Sequence, residues 1–191
     1  MAQRKKLGYV YSFYGDGKGK TSHLNGMVIR ALGNGWKVCY LRFLKNRPTG
    51  ELKFFEQIIK TEPYIKKLEI YDFYRSSDKF TWEMNEAEKE ILQNEINQGF
   101  AKFREITQRD DVDLIVVDEV LDCIYNKYLL KEIPEEVLID ILKNKKTQIE
   151  VALSGHNMSD KLKKVVDVIS WVNLEKHYFY KGVNARKGIE Y

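Results

Sequence analysis

The sequence predicts an α/β fold, with a mainly parallel central sheet flanked by helices. Three observations carry that expectation. Strand-like and helix-like segments alternate almost from end to end, the order that right-handed crossovers turn into a parallel sheet. The run Leu114-Ile115-Val116-Val117 is apolar at every position, as a strand covered on both faces must be. The first strand gives way abruptly to a Gly-rich turn, and a helical pattern follows it directly. With 191 residues, of which 43% are hydrophobic and 13% aromatic, the chain can bury ~70% of its unfolded surface without a disulfide or metal staple. Residues 1–191 read as a single domain.

Residues 7 to 14 alternate Tyr9, Tyr11 and Phe13 with Val10 and Ser12 and read as the first strand. Gly15-Asp16-Gly17-Lys18-Gly19 ends it. Leu24, Met27, Val28, Ala31 and Leu32 then recur on one face of a helix, which Gly33-Asn34-Gly35 stops. Residues 37 to 44 form a second strand. After a polar loop, a short helix is expected around 52 to 59 and a strand at 67 to 73. Ala87, Ile91, Leu92, Ile96, Phe100, Phe103 and Ile106 keep a helical period between 85 and 108. The buried strand at 112 to 117 closes on Asp118-Glu119. Helices are expected at 121 to 130 and 135 to 143, the latter behind Pro134, which a helix start accepts. A strand at 148 to 153, a short helix at 160 to 165, and strands at 168 to 172 and 177 to 180 complete the chain.

Charge and composition narrow the function. Lys and Arg number 32 against 28 Asp and Glu, a formal net charge of +4. That balance suits an anionic small molecule and falls short of a nucleic-acid footprint. Cys39 and Cys123 share no CxxC spacing, and His23, His156 and His177 show no zinc-ligand spacing, so buried reduced thiols and no such metal are expected. No apolar run approaches the ~20 residues of a membrane span, and Met1-Ala2-Gln3-Arg4-Lys5-Lys6 does not lead into a signal-peptide core. A cytoplasmic protein with no membrane partner is expected.

The chemistry begins at the strand-to-helix junction. Glycines there let consecutive backbone N–H groups converge on an anion, and the helix N-terminus adds partial positive charge. Gly15, Asp16, Gly17, Lys18, Gly19, Lys20, Thr21 and Ser22 are accordingly the candidate phosphate loop. Lys20 adds a full charge, and the Thr21 hydroxyl can reach a magnesium ion. The strict pattern G-x-x-x-x-G-K-[ST] has glycine where Tyr14 stands, so the first glycine comes one position late. Asp118 and Glu119, at the end of a buried strand, are the matching acids for Mg2+ or Mn2+. This pairing of loop and acids gives the α/β sheet a P-loop NTPase, RecA-like topology.

The sequence further resembles the P-loop type of ATP:corrinoid adenosyltransferase. The loop through Ser22, shifted glycine included, is followed by Arg30-Ala31-Leu32-Gly33 and Gly35. Phe43-Leu44-Lys45 with Gly50-Glu51, Phe80-Thr81-Trp82-Glu83, and Val117-Asp118-Glu119 then look like the family's later motifs in order. Lys176-His177 and the tail from Lys181 to Tyr191 look like its C-terminal signature. The resemblance spans essentially the whole chain.

It implies transfer of the 5′-deoxyadenosyl group of ATP to the cobalt of a reduced corrinoid, with release of triphosphate. The triphosphate would lie in the reverse sense to ordinary NTPases, presenting C5′. Lys20 and Glu119 would be catalytic, with Arg30 and His156 among the ATP-binding residues. Thr21, Asp118 and Glu119 would hold the metal, and Phe80 and Trp82 would press on the lower face of the corrin. A flavin-type electron donor protein and a homodimer are implied as well. Where the family usually has Thr-Gly-Arg this chain has Ser154-Gly155-His156, so a titratable group replaces a permanent charge. Some members carry a longer N-terminal segment over the corrinoid, and that cover is expected to be reduced here. The loop and the acidic pair alone also fit an ATPase or small-molecule kinase, or a RecA-like nucleotide-switched binding protein.

Overall fold

In chain order the elements are β1 (Val10–Tyr14), α1 (Lys20–Gly33), β2 (Val38–Phe43), α2 (Gly50–Ile58), β3 (Leu68–Phe73), α3 (Glu86–Thr107), β4 (Leu114–Asp118), α4 (Glu135–Lys143), β5 (Glu150–Gly155), α5 (Asp160–Lys163) and β6 (Val168–Trp171). Turns of 3₁₀ helix lie at Thr81–Glu83, Val120–Cys123 and Tyr178–Lys181. This is a computed structural model, and it describes residues 7–45, 48–74, 79 and 81–191. The strands form one sheet in the order β3-β2-β4-β5-β1-β6, and every pairing is parallel. The expected fold class is the observed one.

Side chains alternate across a strand, so each central strand supplies two cores. Val38, Tyr40, Leu114, Val116 and Ala152 point to one face and meet Leu24 and Val28 of α1 and Phe55 of α2. Cys39, Leu41, Phe43, Ile115, Val117, Val151 and Leu153 point to the other, against Leu92, Ile96 and Phe103 of α3 and Leu138 and Ile141 of α4. Burial on both faces is why these strands are apolar throughout. The same parallel arrangement brings all the strand carboxyl ends to one edge, where ligands of open α/β sheets bind.

Two expected elements differ. Residues 177 to 180 form no strand: the His177 Nδ1 accepts a hydrogen bond from the Phe179 amide at 3.0 Å, and left-handed Gly182 closes a 3₁₀ turn. Local capping there outweighs the β-propensity of the aromatics. The helix expected over 121 to 130 stops at Cys123, because Tyr125 turns left-handed (φ 52°) and Ile124 bridges to Ile133. Asn126 fixes that turn by donating to the Asp122 carbonyl and accepting from the Tyr128 amide. Cys39 and Cys123 are buried and free. Among the described residues no helix is long and apolar enough to cross a membrane.

Candidate active site

The loop after β1 is tied to the strands beside it. The Gly15 amide donates to the Gly155 carbonyl of β5 at 3.1 Å, and the Gly17 amide to the Val172 carbonyl just beyond β6 at 2.8 Å. A Cβ at Gly15 or at Gly17 would stand 2.6 Å from that Val172 oxygen, closer than side chains tolerate. Lys20 curls back so that its ammonium donates to the Gly15 carbonyl at 2.6 Å and the Gly17 carbonyl at 3.1 Å, at the centre of the loop. The first turn of α1 has neither an acidic residue nor a side-chain cap. Its first amides and its dipole are therefore available to an anion.

Across that cleft the carboxyl end of β4 presents its two acids. Asp118 is fully buried and is held by hydroxyls: Ser154 donates to Oδ1 at 2.5 Å and Thr21 to Oδ2 at 3.1 Å. Glu119 is left-handed (φ 59°), and its amide donates to the Ser154 Oγ at 2.8 Å. The Lys45 ammonium reaches the Glu119 Oε1 at 2.5 Å, the Thr21 Oγ1 at 3.3 Å and the Asp118 Oδ2 at 3.6 Å. Burial opposes its charge, but the two carboxylates prevail and hold Lys45 above the ordinary lysine range. Burial raises the Glu119 carboxyl, with Asp118 adding to the effect against the pull of Lys45. One ammonium facing two carboxylates leaves negative charge over.

Thr21, Asp118 and Glu119 offer hard oxygen donors only, the set that suits a small divalent cation bound partly through phosphate. Among the described residues no group of three or more His, Cys, Asp or Glu could cage a metal by itself. The donor set thus fits a cation that arrives with a phosphate ligand.

The cleft measures about 780 Å³ and takes in Gly17 to Ser22, Lys45, Asp118, Glu119, His156 and Gly188 to Tyr191, a size that suits a nucleotide. His156 follows β5 and sets its Nδ1 3.0 Å from the Asp122 carboxylate. That hydrogen bond raises its pKa from 6.5, with burial opposing. Lys18 donates to the Tyr178 hydroxyl at 2.9 Å and pairs with Glu190, while Arg186 stacks on the Tyr178 ring. Asp16 faces outward, into a smaller hollow with Phe179 and Tyr180.

Arg30 is not brought to this cleft. It sits in the last turn of α1, beside Asn34 and Trp36, because ten residues of helix carry it about 15 Å from Lys20. Trp82 lies outside the cleft lining; the residue is 58% exposed, and its ring is 6.1 Å from that of Tyr128. Phe80 falls outside the described residues. Lys45, Ser154 and Asp122 are the site residues whose contacts sequence reasoning missed. All three pair across long stretches of chain, and the sequence singles out only the segments Phe43-Leu44-Lys45 and Ser154-Gly155-His156.

A parallel sheet with a phosphate loop at its carboxyl edge and an acidic pair facing it defines a P-loop nucleotide-binding protein. The match to known proteins is more specific. Residues 6–191 match the family ATP:corrinoid adenosyltransferase BtuR/CobO/CobP, and the chain belongs to it. A corrinoid adenosyltransferase of Pseudomonas aeruginosa is 31% identical over 189 residues, 98% of this chain and 86% of that protein. One from Escherichia coli K12 is 27% identical over 185 residues, 96% of this chain and 86% of that protein. One from Sinorhizobium is 26% identical over 179 residues, 93% of this chain and 77% of that protein.

Proposed function

We infer that this protein transfers the 5′-deoxyadenosyl group of ATP to the Co(I) centre of a corrinoid and releases triphosphate, in cobalamin biosynthesis or salvage. The observation that carries the reading is family membership across essentially the whole chain. The Co(I) electron pair attacks C5′, a cobalt–carbon bond forms, the C5′–O5′ bond breaks, and its pair leaves on the triphosphate. Because Co(I) is already a strong nucleophile, no general base is needed. The protein has to hold C5′ in line and receive the charge of the leaving group.

The amides of the loop and of the first turn of α1 that are not tied to neighbouring strands, with Lys18 and Lys20, take up that charge. Thr21, Asp118 and Glu119 hold Mg2+ or Mn2+, which when bound supplies further positive charge against the triphosphate. His156 contributes to the nucleotide side. Phe80 and Trp82 meet the lower face of the corrin and keep its axial ligand away. Residues 1–191 act as one P-loop nucleotide-binding domain with corrinoid-binding loops. It works in the cytoplasm as a homodimer, takes its electron from a flavin-type donor protein, and needs neither nucleic acid nor membrane.

The test is anaerobic mixing with ATP, Mg2+ and chemically reduced corrinoid. A light-sensitive alkylcobalt spectrum with one intact triphosphate per product is expected. Release of ADP or orthophosphate in its place would establish the ATPase or kinase alternative.

A further inference from the structure

Lys45 stands where the loop after β2 meets the acidic pair. Leu44 before it adopts a left-handed backbone (φ 52°), a conformation that costs a branched residue energy. That turn delivers the Lys45 ammonium to three oxygens at once: Glu119 Oε1 at 2.5 Å, Thr21 Oγ1 at 3.3 Å and Asp118 Oδ2 at 3.6 Å. An ordinary ion pair has no need of the threonine hydroxyl. Asp118, moreover, already has two hydroxyl donors. The ammonium is focused on the same donor set that the proposed function gives to a divalent cation.

We propose that Lys45 is a built-in counter-ion for the Thr21–Asp118–Glu119 cluster, which a divalent cation has to displace, so that metal binds tightly only when a triphosphate arrives to take up the displaced ammonium. The inference rests on the metal assignment made above. A divalent cation on these same oxygens would stand close beside the ammonium, and their like charges would repel. A metal entering alone would take from the ammonium the two carboxylates it now faces, in a cleft that also contains Lys20 and Lys18 and whose further acids are Glu51 and Glu190, the latter already paired with Lys18. ATP removes that penalty, because its phosphates offer Lys45 new partners in the same cleft. Metal and nucleotide are then positively coupled, and the coupling is reciprocal. Lys45 is a positioning residue in this scheme: it keeps the acids apart and ordered, and it makes the metal wait for the substrate.

The experiment measures free Mn2+ by electron paramagnetic resonance during titration of the wild-type protein, Lys45→Met and Lys45→Arg, each with and without ATP. Without ATP, Lys45→Met should bind Mn2+ at least about ten-fold more tightly than wild type, within the usual range of coupling between sites. Lys45→Arg, which keeps the charge, should stay near wild type. With ATP present, the gap between wild type and Lys45→Met should narrow. Lys45→Gln replaces Lys45→Met if the latter does not fold. Equal Mn2+ affinity of wild type and the neutral variant without ATP, while wild type binds Mn2+ with ATP, overturns the inference and leaves the metal assignment standing. No Mn2+ held by any of the proteins, with or without ATP, overturns both.

Discussion

A fully buried carboxylate such as Asp118 is tolerable only when its oxygens are satisfied, and here the Ser154 and Thr21 hydroxyls do this. The motif Asp118-Glu119 was legible because it is contiguous and ends an apolar run. Ser154, which fixes it, was not, because it lies 36 residues further on and on another strand. His156 shows the same division. The sequence indicates a titratable group in place of an arginine, while only the structure pairs it with Asp122. The sign of its pH effect follows. Asp122 favours the imidazolium, so protonation persists above the ordinary value of about 6.5. Only the protonated ring attracts phosphate. ATP affinity should therefore hold on the acid side and fall as pH rises through the raised pKa. In Asp122→Asn the fall should move toward lower pH, and in His156→Arg it should vanish. Calorimetric ATP titrations across neutral and mildly alkaline pH read this directly, and identical profiles for wild type and His156→Arg would remove His156 from the nucleotide site.

Among the elements, α3 was the most readable, since its apolar period runs for some six turns; the structure adds a capping box at its start. The Asn85 side chain accepts from the Glu88 amide and the Glu88 carboxylate from the Asn85 amide, both at 2.9 Å. What the period could not say is how closely α3 approaches the sheet. Gly99 sets that distance: a Cβ there would lie 2.5 Å from a ring carbon of Phe43 and 2.9 Å from one of Phe73. Phe43 is fully buried and ends β2, directly before Leu44 and Lys45. Gly99→Ala gains ~1 kcal/mol of helix propensity and meets an overpacking cost of ~1–3 kcal/mol. With both rings confined, the cost should prevail. A lower urea midpoint is expected, with weaker Mn2+ binding in the presence of ATP as β2 shifts under Lys45. A stabilised Gly99→Ala would mean that the rings move freely and that α3 does not fix the end of β2. The misread elements, by contrast, are the helix expected over 121 to 130 and the strand expected over 177 to 180, where a left-handed Tyr125 and a His177 cap outweigh the pattern.

At the scale of the molecule, one parallel sheet gathers the loops after β1, β2, β4 and β5 into the nucleotide cleft, while Trp82, which follows the edge strand β3, is not part of its lining. Trp82 is more than half exposed. The whole-molecule prediction turns on this separation. If Phe80 and Trp82 act on the corrin and not on ATP, replacing both by alanine should leave ATP affinity nearly unchanged. The reaction should then divide according to the cobalt state supplied. Co(II) holds an axial ligand and adopts a four-coordinate state reluctantly, so reduction is the step that aromatic pressure on the lower face would assist. Co(I) has already lost that ligand. Interactions that favour only the four-coordinate state accelerate only the route that must reach it. Adenosylation from Co(II) with a reductase should consequently fall at least about ten-fold further than adenosylation from pre-reduced Co(I), a difference of ~1.4 kcal/mol in barrier. Equal losses in the two assays would instead assign the pair to corrinoid affinity. Loss of ATP binding would show that Trp82, through Tyr128 at 6.1 Å, supports the cleft from outside.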